Sequence, residues 1–531
     1  MAGLSDVEHW RVAKPAVSSA DGVVASQHHL ASRAGASVLH AGGNAVDAAV
    51  AAALSLGAVE PWMCGLGGSG LMTVWIAAEG RAWTIDFQGV LAAATRPRDY
   101  PVDPDGPETL MGFPTVVDEA NVAGPRSITV PGAAAGLDAA LSRWGTMGMA
   151  EVAAPAVQLA RAGFRADWHT TLQTALAMDL LARDPLSTRI YLPGGRPVRP
   201  EARVHLPGLA ETLQAFAEGG AGAFYRGALA ERLAADLSDV GSAITAADLA
   251  AYESIVAEAG TSTYRGATLH RPGETSGGAR LHDFLCMCEA VDPPDALTPE
   301  TWAIYAAALE HAWRNHRARL EPARPEPGGA CTSHLSVADR DGNMVALTHT
   351  LLNRFGSGVT LPRTGLLMNN AVSYFDPRPG RPTTMRGGLR INASNICPVV
   401  AEREGESLFA LGASGGNHIM PAVAQAAALM LDFGLPLAEA IDHPRLDASA
   451  RGSVRADPRL GEAVLDRLAR DHALEVSQRL VFPKLYACLS GVARTEHGFE
   501  GATDPSQPVA AASGPRPFEL PDTGGEVGVR A

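Results

Sequence analysis

The sequence lacks any apolar run approaching the roughly 18 to 20 residues that a membrane span requires. Its start, MAGLSDVEHWRVAKP, also lacks the apolar stretch of a secretory signal. A helical membrane protein is thereby excluded, and the cytoplasm is the expected location. Cysteine is scarce: the six residues Cys64, Cys286, Cys288, Cys331, Cys397 and Cys488 are scattered over 531 positions, which fits a reducing compartment better than a disulfide framework. Only Cys286 and Cys288 are close, in the apolar helical run LHDFLCMCEA, with no partner pair or histidine cluster nearby. They read as buried helix residues rather than metal ligands. An excess of positive charge is missing too. A formal net charge of −14, with arginines dispersed among acids, excludes the concentrated Lys/Arg surface that nucleic-acid binding needs. A small neutral or polar substrate suits this balance.

What the chain does have is enough apolar material, 46% of its residues, to bury a large core. Residues 22–78 read as strand, helix, helix and strand, with a very Ala-rich stretch from Asn44 to Leu56 that allows close helix packing. Asn44, after the breaker pair Gly42-Gly43, is the expected N-cap, and Asp47 falls in the first turn, where a carboxylate is favoured. Residues 65–70, GLGGSG, match the spacing of a dinucleotide loop, but the strand-like LMTVW follows where a helix should begin. A glycine turn permitting close backbone approach is the better reading. The stretch 130–255 alternates Ala/Leu-rich helical patterns with Gly/Pro punctuation and predicts a helical layer. A further helix, Thr301 to Leu320, runs into EPARPEPGGA, a Pro/Gly-rich linker that cannot continue it.

From Thr332 the character changes to TSHLSVADRDGNMVALTHT, two β-type runs around Asp341-Gly342. That pattern predicts a hairpin. With a three-residue loop, Arg340 to Gly342, Thr332 pairs across from Thr350; a two-residue loop shifts the partner by one. Further on, SLFALG reads as a strand, ASGGNH as a glycine turn, and IMPAVAQAAALMLDFG as a helix ending at Gly434. Such a strand, turn and helix start present backbone N–H groups able to hold a phosphate or an oxyanion. The lysine of a phosphate-binding loop is absent, which favours the oxyanion.

A threonine hydroxyl is a weak nucleophile and needs a base close by. Within a chain Thr332 has only an amide nitrogen. Cutting the Cys331–Thr332 bond creates an α-amino group with a reference pKa of about 7.7–8.0, partly neutral near pH 7 and able to take the proton of its own hydroxyl. The cut can be self-made: the hydroxyl attacks the preceding carbonyl through a five-membered ring, giving an ester that water hydrolyses. Gly328 and Gly329 allow the upstream strand the geometry this requires. Thr350 is placed to hydrogen-bond the nucleophile or its amine. Gly415 and Gly416 are placed to supply N–H groups to the tetrahedral oxyanion, each worth on the order of 3 kcal/mol in other enzymes. Taken singly these residues have ordinary readings, as the start of a strand, a strand threonine and a turn.

These residues carry a resemblance. TSHLSVADRDGNMVALTHTLLNRFGSG closely resembles the small-subunit start of γ-glutamyltranspeptidases. The blocks GVVASQHHLASRAGASVLHAGGNAVDAAVAAALSLGAVEPWMCGLGGSG, VPGAAAGLDAALSRWGTM, ITAADLAAYE, TSGGAR, GLLMNNAVSYF, GASGGNH and DHPRLDA agree in order, from about residue 22 to 510. The resemblance implies an α+β fold, the four-layer αββα sandwich of the N-terminal-nucleophile hydrolases. It implies a precursor cut into a large part, 1–331, ending in a linker at about 321–331, and a small part, 332–531, that stay associated. It calls for no metal or cofactor. By position Thr332 matches the nucleophile, Thr350 the threonine assisting its amine, and Gly415 with Gly416 the oxyanion-hole glycines.

Substrate recognition departs from the family. Where γ-glutamyltranspeptidases have Asp-Phe-Arg-Glu, with the arginine holding the donor's α-carboxylate, this chain has Asp86-Phe87-Gln88-Gly89. The family's asparagine after the assisting threonine falls at Leu352, with Asn353 adjacent. Its glutamine and aspartate, which bind the donor's α-amino group, fall at Ala371 and Tyr374, and its paired serines at Ser394 and Asn395. Desolvating an ammonium and a carboxylate without charged partners costs several kcal/mol. A less zwitterionic small-molecule amide is therefore expected in place of an ordinary γ-glutamyl donor. Oxamate hydrolysis and cephalosporin acylation chemistry, both associated with this fold, show that such a shift is available. The segment between Leu320 and Thr332 is short for the family, which restricts how far the new ends separate. Two other readings remain at this level: a true γ-glutamyl hydrolase or transpeptidase holding its donor through other residues, and an uncut, non-catalytic scaffold.

Overall fold

In the computed structural model, residues 12–520 are described apart from 110, 293–295, 321–329, 394, 450 and 451. The first of two large sheets is built from β2 (Gly22–Ser26), β3 (Ser69–Ile76), β4 (Arg81–Phe87), β5 (Ile255–Glu258), β8 (Ala330–Asp339), β9 (Met344–Asn353) and β14 (Ala511–Ser513). Its spatial order is β14-β2-β8-β9-β3-β4-β5, every neighbour antiparallel. The second sheet contains β1 (Val17–Ser19), β6 (Gly260–Tyr264), β7 (Ala267–Arg271), β10 (Val399–Arg403), β11 (Glu406–Ser414), β12 (Cys488–Thr495) and β13 (Gly498–Thr503), in the order β1-β13-β12-β11-β10-β7-β6. Strands from both sides of the Cys331–Thr332 bond interleave in each sheet.

The two-residue period of a strand decides the layers. On β8, Leu335 and Val337 join Val24, Met72, Val74, Val345 and Leu347 in a core covered by α1 (His29–His40), α2 (Ala45–Val59), α3 (Ala133–Trp144), α4 (Met149–Ala162) and α5 (Leu209–Arg226). Ala338 points the other way and meets Val23, Ala25 and Ala346 of its own sheet and Val400, Ala410 and Val492 of the opposite one. The outer face of the second sheet, through Leu269, Val399, Phe409, Leu411 and Leu489, packs on α6 (Gly278–Glu289), α7 (Pro299–Leu320) and α8 (Ile419–Phe433). Helix, sheet, sheet and helix are thus stacked in four layers, as the resemblance implies.

The expected strand, helix, helix and strand over 22–78 are present as β2, α1, α2 and β3. The Asn44 side chain accepts from the N–H groups of Val46 and Asp47, while the Asp47 carboxylate accepts from Asn44 N–H at 2.8 Å. Such a reciprocal cap contributes about 1 kcal/mol and sets where α2 begins. Asp339, at the end of β8, accepts from Ala45 N–H at 2.9 Å and so fastens the β8–β9 hairpin to the same helix start. The glycine turn before β3 does provide close approach: a Cβ on Gly68 would lie 2.5 Å from the Thr350 carbonyl oxygen. One sequence expectation fails. Cys288 is buried in α6, but Cys286 is exposed, because two residues of a helix that lie two apart face in different directions. No helix among the described residues is long and apolar enough to cross a membrane.

Candidate active site

Thr332 is buried, 2% exposed, near the start of β8. The hairpin closes through Arg340–Gly342, with Gly342 at φ +84° and Ala338 paired to Met344, the register expected of a three-residue loop. That register holds from Ser333, opposite His349, to the turn, but shifts between Cys331 and Ser333, because Cys331 pairs with Leu352. Thr350 and Leu351 therefore face the single residue Thr332 across a β-bulge. Bulges bend a strand and re-aim its side chains, and they concentrate near active sites.

Thr350 lies opposite Ser69 of β3, and its hydroxyl accepts from Leu352 N–H at 2.7 Å. This local bond accompanies a left-handed backbone at Leu352, φ +82°, a region where asparagine and glycine are more at ease than leucine. Its side chain turns into an apolar cluster with Leu71, Leu91, Ala371, Tyr374, Phe375 and Ile396. Three of the predicted substrate positions, Leu352, Ala371 and Tyr374, are thereby brought together. Asn395, 1% exposed, donates through Nδ2 to Tyr374 Oη at 3.3 Å, and its Oδ1 has no partner among the described residues. Burial raises the Tyr374 phenol above its ordinary value, so it stays neutral. Ser394 lies outside the described residues.

Gln88 is fully buried just beyond β4. Ser69 pairs with Thr350, and Gly70 pairs with Phe87 in the last rung of the β3–β4 ladder, so Gln88 follows directly on that ladder's end. Ile85 and Phe87 face the helix layer. A Cβ on Gly89 would touch the Ala371 methyl at 3.5 Å, which joins this strand end to the apolar cluster. Among the described residues neither end of the Gln88 amide nor the Ser69 hydroxyl finds a partner. Asn353 is half-buried, receives no bond at its Oδ1 among the described residues, and pairs through its backbone with Ala330.

On the other flank, β11 ends at Ser414 and α8 starts at Ile419. Gly415 and Gly416, at φ +136° and +58°, form the turn between them, and β8 packs against it. A Cβ at Gly415 would come within 2.8 Å of Ala487 Cα, so space as well as conformation requires glycine there. The Ser414 hydroxyl accepts from Gln27 Nε2 at 2.6 Å and from Lys484 Nζ at 3.4 Å, which pins the approach to the turn.

Sequence reasoning missed the support around Thr332. Ser333 donates to Glu60 Oε2 at 3.2 Å, and Gln507 Nε2 donates to Oε1 at the same distance. Glu60 is completely buried at the C-cap of α2, and desolvation pushes its carboxyl from 4.5 up to about 8 against the opposing pull of Lys484. An acid ending a very apolar helix, where the helix dipole disfavours a carboxylate, was a visible signal. His334 stands between the sheets with Thr348 Oγ1 at 2.7 Å and Ser336 Oγ at 2.9 Å, its pKa held down to about 3 by burial. Gly412 of the facing sheet makes room for its ring, since a Cβ there would lie 2.2 Å from Cε1.

Known proteins resemble this chain in sequence and in fold. The sequence model described as gamma-glutamyltranspeptidase matches residues 31–328 and 313–514. The acylase ACY 1 proenzyme of Pseudomonas sp. (strain SE83) is 34% identical over 506 residues, covering 88% of this chain and 89% of the relative. The glutathione hydrolase proenzyme of Escherichia coli (strain K12) is 30% identical over 492 residues, 81% of each chain. Among solved structures, cephalosporin acylase from Bacillus halodurans superposes with a TM-score of 0.83 at 25% identity, covering 95% of this chain and 98% of that one. By sequence match and by four-layer architecture alike, the chain belongs to the γ-glutamyltranspeptidase family of N-terminal-nucleophile hydrolases.

Proposed function

We propose that this chain is a self-processing amidohydrolase that carries its acyl-enzyme on Thr332 and takes a donor other than an ordinary γ-glutamyl compound. The observation behind the donor class is the merger of Leu352, Ala371 and Tyr374 into one apolar cluster beside a neutral Gln88. A zwitterionic headgroup placed there loses its hydration without gaining charged partners. The acylase and cephalosporin acylase relatives fit this reading.

In processing, Thr332 Oγ attacks the Cys331 carbonyl carbon, and the C–N bond breaks as the nitrogen takes up a proton and becomes the free amine of Thr332. Water then hydrolyses the ester, leaving a carboxylate on Cys331. In turnover the amine accepts the Thr332 hydroxyl proton while Oγ attacks the donor carbonyl, and returns it to the departing amine. Gly415 and Gly416 N–H groups hold the oxyanion, and Thr350 steadies the nucleophile. Water resolves the ester to the acid; an amine in its place gives transpeptidation. A small-molecule amide is thus the substrate, and the two fragments remain joined by the shared sheets. Among the described residues, the free cysteines Cys64, Cys286, Cys288, Cys397 and Cys488 fit a cytoplasmic location.

A true γ-glutamyl enzyme is the second reading, favoured by the match to glutathione hydrolase and by the approach of Arg390 to 3.5 Å from Asp86, close to Gln88. A non-catalytic scaffold is disfavoured by intact Thr332, Thr350, Gly415 and Gly416. The test is a denaturing gel with N-terminal sequencing of the smaller fragment, followed by release of p-nitroaniline from its γ-glutamyl derivative. Two fragments, the smaller starting at Thr332, and slow γ-glutamyl turnover are expected. A chain that stays whole defeats the enzyme readings; brisk γ-glutamyl turnover defeats the donor class proposed here.

A further inference from the structure

Gln88 offers a hydrogen-bond donor and an acceptor side by side, both buried and both without a partner among the described residues. A buried primary amide is costly to leave unpaired, so its position at the end of β4, next to the Gly89 that approaches Ala371, bears on what the acyl group carries. A carboxylate there needs a cation. The guanidinium nearest to Gln88 in the hydrogen-bond network, Arg390, donates to the Gln88 carbonyl at 2.9 Å, to Tyr252 Oη at 3.0 Å and to the Glu253 carbonyl, and it lies 3.5 Å from Asp86. Its ring contact over Tyr252, at 5.2 Å, fixes it further. An ammonium needs an anion, and Asp86 already accepts from Gln88 N–H at 2.9 Å while facing Arg390. A plain alkyl end suits the neighbouring cluster but leaves the amide unpaired at both ends.

We propose that Gln88 recognises a primary carboxamide at the far end of the donor acyl chain. The carboxamide carbonyl accepts from Gln88 Nε2, and one of its N–H groups donates to Gln88 Oε1, closing a cyclic pair. Asn395 Oδ1 supplies a further acceptor on the same apolar cluster. The aliphatic part of the chain crosses Leu352 and Ala371 toward Thr332. This assignment rests on the acyl-enzyme reading and narrows its substrate to neutral acyl groups ending in an amide.

The experiment compares four p-nitroanilides on the processed two-fragment enzyme: 4-carbamoylbutanoyl, 4-carboxybutanoyl, hexanoyl and γ-glutamyl. The carbamoyl compound is expected to exceed each of the others in kcat/KM by at least about tenfold, the factor given by roughly 1.4 kcal/mol of recovered hydrogen bonding. Gln88→Leu removes that preference, and Gln88→Arg moves it to the carboxyl compound. Melting temperature and fragment pattern show whether each variant has folded, and either variant alone tests the assignment. Equal or better turnover of the carboxyl, alkyl or γ-glutamyl compound by the unaltered enzyme overturns it, as does a preference that survives Gln88→Leu. In those cases the acyl-enzyme reading stands. Turnover of none of the four instead defeats the acyl-enzyme reading, and this assignment with it.

Discussion

The hydroxyl of Ser333 donates to the Glu60 carboxyl at 3.2 Å, tying the residue after Thr332 to the end of helix α2. Glu60 has no exposed surface and holds its proton up to about pH 8, whereas its ordinary value is 4.5. Between those values the folded chain keeps a proton that the unfolded chain has released. Stability contributed by this group is therefore full below about pH 4.5, declines as pH rises toward about 8, and stays low above it. Glu60→Gln keeps a neutral side chain of the same shape. Thermal unfolding across pH should show the variant matching the parent near pH 4 and exceeding it at pH 8; parallel curves would mean that Glu60 is already ionised in the folded state.

Removing the nucleophile should stop both processing and turnover. Thr332→Ala is expected to run as one chain of 55.1 kDa and to lose on the order of 10³-fold or more of the amidase activity. Thr332→Ser, which keeps a hydroxyl, should still be cut at the same bond. Cleavage of the alanine variant between Cys331 and residue 332 would show that another group makes the cut.

Substitutions at Thr350 separate its structural bond from its proposed part in catalysis. Its Oγ1 accepts from Leu352 N–H at 2.7 Å, so Thr350→Val leaves a buried donor unpaired at a cost of about 1–3 kcal/mol. Serine at this position keeps the acceptor and should stay within about 1 kcal/mol of the parent. For valine, kcat should fall about 10²-fold with a smaller change in KM. Unchanged kcat in folded Thr350→Val would confine Thr350 to a structural part.

At Gly415, backbone conformation and space oppose any side chain. The φ of +136° and the 2.8 Å approach to Ala487 Cα make Gly415→Ala strained, by about 1–3 kcal/mol. Displacing the turn also withdraws the proposed oxyanion donors, so kcat should drop by roughly 10²-fold or more. Gly434→Ala, at another left-handed position with open space around it, controls for strain alone and should leave kcat near the parent value.

Much of this architecture was legible from local pattern. The capping signals at Asn44 and Asp47 locate α2, since they act within one helical turn. The hairpin loop at Arg340–Gly342 settles the Ser333–His349 register, because a strand pair inherits its alignment from its turn. The placement of the proposed catalytic group was legible for the same reason, as Thr332 and Thr350 share one hairpin and Gly415 with Gly416 share one turn. Cys286 was misread because the direction a helix residue faces depends on what covers it, which the run LHDFLCMCEA does not say.

The sequence by itself determined the elements, the hairpin that pairs the Thr332 region with Thr350, and the replacement of the family's charged residues at positions 88 and 374 and of its glutamine at 371. Only the tertiary structure decided how those replacements meet. Leu352, Ala371 and Tyr374 join a single cluster, and Gly89, next to Gln88, approaches Ala371. It also decided that Glu60 keeps its proton, through the burial that closes over Ser333 and Gln507. Local signals act over a few bonds, whereas desolvation and cross-strand contact depend on segments hundreds of residues apart, and no short pattern encodes them.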